Sequence, residues 1–272
     1  MNKLGGSHLR VAVICHDDDP IGRDVLPKWA ATFADVVAII AIRERRQVLL
    51  RRFRSEMRRV GPLRMLDVVA FRLYYRVFIA SDDAAWQKGT LAALQSRFRA
   101  TLSGVPVAVV DNPNSDAAFA VVRESSPDLV VAKCRWLLNR RMYTLPRLGA
   151  FVLHPGICPE YRNAHGCFWA LVNGDLERVG MTLLKIDDGI DTGPVYAYFS
   201  YAFDERAESH IRIQNRMLTE NLDGIREALE AVAAGRLNPI NVTGRRSQNW
   251  GQPWLSAYLR WKRAASRRKR QC

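Results

Sequence analysis

Residues 10–42 read "RVAVICHDDDPIGRDVLPKWAATFADVVAIIAI". A β-branched apolar run, Arg10 to His16, stops at Asp-Asp-Asp-Pro-Ile-Gly. Residues 25–33 have the composition of a helix, and "DVVAIIAI" (35–42) is a second apolar run. Strand, helix, strand in that order is the unit of a parallel, doubly wound sheet. Strands that are apolar throughout belong to sheets covered on both faces.

The same rhythm returns further along. "VPVAVVD" (105–111) predicts a strand, "DAAFAVVRES" (116–125) a helix and "PDLVVAK" (127–133) a strand; a short helical stretch at 139–148 leads into the strand "GAFVLH" (149–154). "HGCFWALVNGD" (165–175) predicts a helix closed near Gly174. "GMTLLKID" and "GPVYAYFSYAF" predict two further strands joined by "DGIDT". Residues 207–235 predict a long amphipathic helix, broken near Gly224 and stopped by Gly235. The last 36 residues carry a W…W…Y…W series before a basic end.

Residues 43–100 interrupt the alternation. Val48, Leu49, Leu50, Phe53, Met57 and Val60 recur at helical spacing. So do Leu66, Val69, Phe71, Leu73 and Val77 after the Gly61-Pro62 break. This predicts an insertion of two or three helices with arginines on the faces opposite the apolar residues. The expected architecture is α/β: a Rossmann-like, mostly parallel sheet over residues 8–203, a helical insertion at 43–100, and a C-terminal helix with a basic tail over 204–272.

The net charge of +14 on 272 residues is unevenly placed. Residues 43–78 hold eleven arginines against three acids, and residues 260–270 hold seven basic residues and no acid. The remainder is close to neutral, so two basic segments are set on an ordinary globular body. Nucleic acid, an anionic membrane surface or a phosphorylated substrate would complement them. No segment has the pattern of a signal peptide or the length of a membrane span. The five cysteines (Cys15, Cys134, Cys158, Cys167, Cys272) have no metal-ligand spacing and fit free thiols in a reducing cytoplasm. No metal is expected. There is neither GxGxxG nor GxxxxGK, so a dinucleotide or ATP site lacks its usual signal. His16 with Asp17, Asp18 and Asp19 is read as a helix N-cap region. His210 lies in a helix without an evident partner.

Two stretches carry the chemistry: "LGAFVLHPGICPEYRNAHGCFWALVNGD" (148–175) and "VGMTLLKIDDGIDTGPVY" (179–196). His154-Pro155, Pro159, Tyr161-Arg162, Trp169-Ala170, Gly174-Asp175, Gly180, Thr182 and Asp191-Thr192-Gly193 stand in an order and spacing that resemble the folate-dependent formyltransferases. That family includes glycinamide ribonucleotide transformylase, methionyl-tRNA formyltransferase and the sugar N-formyltransferases. The likeness is strong over residues 105–200. It implies that His154 stabilises the developing oxyanion and passes protons while Asp191 fixes the histidine. By the same resemblance, Arg135, Trp136, Leu137, Asp187, Asp188 and Gly189 would line the pocket for 10-formyltetrahydrofolate. Arg162, Asn163 and His165 would meet an acceptor, a small-molecule amine such as an amino sugar or nucleotide-linked metabolite.

Three positions depart from the pattern. Val152 stands where the family has an asparagine that donates to the formyl oxygen, Gly156 where it has serine, and Asn163 where it has glycine. Val152 leaves two alternatives beside N-formyl transfer. One is a folate-site hydrolase or a transferase of another one-carbon or carbamoyl-like group. The other is an inactive relative that binds an anionic surface. About 70 residues follow the last strand, too few for the C-terminal β-domain of the tRNA-modifying relatives, so initiator tRNA is not the expected acceptor. The expected location is the cytoplasm, peripheral to the inner face of a membrane.

Overall fold

The computed structural model describes residues 9–268, except for the side chains of Arg46 and Leu49. His8, Lys269, Arg270 and Cys272 lie outside the described residues. The strands are β1 (Arg10–His16), β2 (Asp35–Ile42), β3 (Val107–Val110), β4 (Leu129–Lys133), β5 (Gly149–His154), β6 (Met181–Lys185) and β7 (Val195–Phe199). The helices are α1 (Leu26–Ala30), α2 (Arg46–Phe78), α3 (Ala80–Arg97), α4 (Asp116–Ser125), α5 (Arg140–Tyr143), α6 (Gly166–Asn173), α7 (His210–Thr219), α8 (Leu222–Ala233) and α9 (Leu255–Arg268).

The seven strands form one sheet in the order β3-β2-β1-β4-β5-β6-β7. The first four pairings are parallel, and β5–β6 and β6–β7 are antiparallel. The central strand β1 explains the unbroken apolar reading. Val11 and Val13 enter the core on one face and Ala12 and Ile14 the core on the other, all wholly buried. Local chemistry sets the helix ends. Ser115 Oγ accepts from the Ala118 amide at 3.3 Å and Ser209 Oγ from the Arg212 amide at 3.0 Å, capping α4 and α7. Gly174, at φ 69°, closes α6.

Three expectations need correction. The long C-terminal helix breaks between α7 and α8, at Glu220 and Asn221, and Gly224 lies inside α8. Asn221 makes the break by taking the Met217 carbonyl with its side chain at 2.8 Å. Gly224 is small for a packing reason, since a Cβ there would come within 3.3 Å of the Phe199 ring. The aspartates after β1 cap no helix. Asp17 pairs with Arg43 and Arg23, and Asp19 pairs with Lys133.

The third correction concerns the insertion. It forms α2, bent at Gly61 (φ 78°), and α3. Of the apolar residues predicted to face inward, Leu50, Leu66, Val69, Leu73 and Val77 are exposed. Phe71 is buried as expected, but its companions on the buried face are Met65 and Val68, and it packs on α6 and α9 through Phe168 and Tyr258. Both sets recur at helical spacing, and only the tertiary structure selects which one is covered. Helix α9 contributes Ala257, Tyr258 and Trp261 to the same core and buries Ala265 as well, so its basic residues ride on an embedded helix. Cys15, Cys134, Cys158 and Cys167 are free thiols.

Candidate active site

Strand β5 alternates faces, so Ala150, Val152 and His154 share one side while Phe151 and Leu153 enter the core on the other. Two segments frame that side. Residues 134–148 descend from the end of β4 to the start of β5. Residues 186–194 leave β6 beside Ala150, whose carbonyl accepts the Ile186 amide at 2.7 Å. Because β6 runs antiparallel to β5, this loop must climb back along β5 to bring Asp191 to His154. Tyr143 Oη donates to Asp188 at 2.6 Å and ties the two segments together.

The two residues expected to act together do meet: His154 Nδ1 lies 3.3 Å from Asp191 Oδ2. His154 is buried, 3% exposed, and its Nε2 lies 2.9 Å from the Tyr161 carbonyl. A carbonyl only accepts, so Nε2 carries a proton; a neutral ring would then turn the Nδ1 lone pair toward a carboxylate. The imidazolium satisfies both contacts. Burial pushes the His154 pKa down, but the Cys158 sulfur beside the ring, the Asp191 carboxylate and the Tyr161 carbonyl outweigh it and raise it to about 10. Cys158 itself is 1% exposed and offers no accessible nucleophile.

Asp191 sits in the left-handed region at φ 51° and is oriented by the Asn163 amide, which donates to Oδ2 at 2.8 Å. Arg162 Nη1 donates to the Ile190 carbonyl at 2.9 Å. Two residues expected to meet an acceptor therefore brace the loop that carries Asp191. The third, His165, lies apart beneath α2, near Glu56 and Gln252. Its pKa falls to about 4, through burial first and through Arg135 and Arg72, against the pull of Glu56. Thr182 holds the loop below: its Oγ1 donates to the Gly156 carbonyl at 2.6 Å and accepts from the Cys158 amide at 3.0 Å.

The residues expected to line a folate pocket divide into two groups. The Arg135 amide donates to His16 Nε2 at 2.9 Å, and the Trp136 indole donates to Glu44 at 2.8 Å. Arg52 of α2 pairs with Glu44 at 2.8 Å and lies over the Trp136 ring, while Leu137 is exposed. On the facing loop, Asp187 caps its own turn through the Gly189 amide and Thr192 Oγ1. Trp136 and Ile186 pack against one apolar cluster, which is what the two groups share. Burial lowers the His16 pKa, with help from Arg135 and against the pull of Glu44.

Sequence reasoning missed a strap formed by residues 248–254. The Arg162 amide donates to the Gln248 carbonyl at 3.1 Å, and Arg162 and Asn249 form a parallel β-bridge. Asn163 Nδ2 donates to the Trp250 carbonyl at 2.8 Å. The Trp250 ring stacks between Tyr161 (5.7 Å) and Trp169 (5.0 Å). The tryptophan series near the C-terminus was the available signal, but it names no partner.

The model of the formyl transferase family matches residues 77–229, more than half of the chain. The chain belongs to this family. Among curated relatives, the methionyl-tRNA formyltransferase of Pelobacter propionicus is 29% identical over 136 residues, covering 50% of this chain and 42% of the relative. That of a Roseiflexus species is 30% identical over 181 residues, covering 66% of this chain and 55% of the relative. The chain thus spans less than two thirds of the length of the relatives it matches. Two solved structures share the fold. One is a sugar N-formyltransferase from a Shewanella species (TM-score 0.53, 12% identity, 89% of this chain and 76% of that one). The other is glycinamide ribonucleotide transformylase 1 from Symbiobacterium toebii (TM-score 0.52, 17% identity, 89% and 93%).

In this member of the formyl transferase family, the departures have visible structural consequences. Val152 packs with Cys158, Leu184 and Val195 in a small apolar cluster. A Cβ on Gly156 would lie 2.3 Å from the Tyr161 carbonyl oxygen and 2.8 Å from His154 Nε2, so a side chain there would displace the histidine's contact.

Proposed function

We propose that this chain transfers the formyl group of 10-formyltetrahydrofolate to the amine of a small molecule, an amino sugar or a nucleotide-linked metabolite. The observation that carries the reading is the pairing of buried His154 with half-buried Asp191, 3.3 Å apart at the end of β5. Asp191, the more exposed partner at 17%, would take a proton from the attacking amine. The His154 imidazolium would hold that carboxylate and set positive charge beside the oxygen on which negative charge develops. Transfer forms the new amide C–N bond and breaks the bond to the donor nitrogen, which takes up the proton. A flat heteroaromatic donor would find apolar surface at Trp136 and carboxylates at Asp187 and Asp188. We place the reaction in the cytoplasm at the inner face of a membrane, with α2 supplying the contact.

A second reading rests on Val152, which provides no hydrogen-bond donor. It keeps the donor site and gives hydrolysis to formate or transfer of another one-carbon group. One experiment separates the readings: incubate the protein with 10-formyltetrahydrofolate and a panel of amino sugars, and quantify formylated amine and free formate. Formylated product that disappears in His154→Ala supports the first reading. Formate without product supports the second. A folate analogue that fails to raise the melting temperature overturns both, because a ligand bound only by the native state must stabilise it.

A further inference from the structure

Helix α2 has an outward apolar ridge as well as a buried face. Leu63 (83% exposed), Leu66 (69%), Leu73 (59%) and Val77 (69%) share one side of the segment after the Gly61 bend, and Phe78 (68%) ends it. At 100° per residue, Arg76 borders one side of this ridge, and the exposed Arg72 lies one step further round toward the buried face. Asp67 and Tyr74, which contact Ser256 and Tyr258 of α9, border the other. Arg51, Arg54 and Arg58 are exposed along the first half of the helix. Arg52, Arg59 and Arg64 pair with Glu44, Glu56 and Asp67. Among the described residues, Arg51, Arg54, Arg58, Arg72 and Arg76 have no ion-pair partner. Neither have Arg260, Arg263 and Arg267, exposed on α9.

We propose that the Leu63–Phe78 ridge is a docking surface for an anionic lipid bilayer, with the leucines entering the headgroup layer and the arginines meeting lipid phosphates. Charge complementarity selects this occupant. A nucleic acid would neutralise the arginines and leave five large apolar side chains in water. A second copy of the chain would cover the ridge and bring unpaired arginines against unpaired arginines. An anionic bilayer takes both, because the long arginine side chains lie along the apolar boundary with their heads at the phosphates. The ridge is an interfacial surface and not a span: no described helix is long and apolar enough to cross a membrane. The first half of α2 is also tied to the segments around His154, through Arg52 to the Arg135 carbonyl (3.3 Å) and the Gln252 amide to Glu56 (3.3 Å). Docking would therefore set the site beside the headgroups. The inference does not depend on the formyl-transfer reading.

The test is co-sedimentation of the full chain with vesicles of phosphatidylcholine, with or without phosphatidylglycerol, across a salt series. The wild type is expected to bind the phosphatidylglycerol vesicles and to release as salt rises. The double variant Leu66→Ser/Leu73→Ser is expected to lose about tenfold or more in vesicle affinity at low salt. Arg72→Gln/Arg76→Gln is expected to bind more weakly and with a shallower salt dependence. All four positions are exposed, and unchanged urea midpoints would show that the variants fold. Equal binding of the serine variant, equal binding to pure phosphatidylcholine, retention by RNA without vesicle binding, or a dimer abolished by the serine variant would each overturn the proposal.

Discussion

Asp191→Asn tests the pairing on which the site depends. Asn tolerates the left-handed conformation that residue 191 adopts at φ 51°, so the backbone should survive and the charge alone should be lost. The His154 pKa is raised from 6.5 to about 10, a rise equivalent to about 5 kcal/mol at roughly 1.36 kcal/mol per unit. The ring is 3% exposed, so solvent screening removes little of it. Cys158, Asp191 and the Tyr161 carbonyl share the effect, Cys158 first, so Asp191 carries only part of it, on the order of 1 kcal/mol. A raised histidine pKa stabilises the native state fully below about pH 6.5 and loses that contribution as pH rises through about 10. Asp191→Asn should therefore unfold on the order of 1 kcal/mol more easily than wild type near pH 6, and the gap should close above pH 10. Urea titrations across that range measure the gap, and imidazole NMR reports the charge on His154. Formyl transfer should fall by about 10²–10⁴ if Asp191 accepts the amine proton. A gap that ignores pH, or a neutral His154 ring at pH 7, would refute the argument.

Gly156→Ser should destabilise the fold by roughly 1–3 kcal/mol in urea and lower the His154 pKa, because its Cβ would press on the Tyr161 carbonyl and the ring nitrogen. Trp250→Ala empties the slot between Tyr161 and Trp169 and should cost roughly 3–5 kcal/mol by denaturant titration. If the chain is a weakened formyltransferase, Val152→Asn should raise product formation from 10-formyltetrahydrofolate by up to roughly 10²-fold, since it restores a donor. Loss of the native activity without that gain would assign Val152 to another chemistry.

Much of the fold was legible because buried parallel strands are apolar throughout, and β1, β2, β4 and β5 are buried parallel strands. Strand direction was not legible. The alternation in "GMTLLKID" is the same whether β6 runs with β5 or against it, and only pairing such as His154 opposite Thr182 settles the direction. The faces of α2 were illegible for a related reason. A helix with two apolar stripes satisfies a periodicity test with either one, and the sequence does not say which stripe meets Phe168 and Tyr258.

The candidate site was legible as a set of motif residues and opaque as a mechanical assembly. His154 and Asp191 are 37 positions apart, and it was the family resemblance that linked them. The bracing of Asp191 by Asn163, and of Asn163 by Trp250, joins residues up to 87 positions apart, which no local pattern encodes. The departures from the family pattern then read as connected changes. Without a Cβ at Gly156, the Tyr161 carbonyl can take His154 Nε2. Asn163, at φ 77°, keeps the left-handed backbone that glycine would adopt and adds an amide that holds the strap. Val152 extends an apolar cluster onto Cys158, the residue beside the His154 ring. The loop from His154 to Asn163 is thereby gripped from both sides, by Thr182 beneath and by the strap above. A site built this way holds its histidine through backbone carbonyl and carboxylate contacts, and Val152, packed in its own apolar cluster, takes no part in that grip.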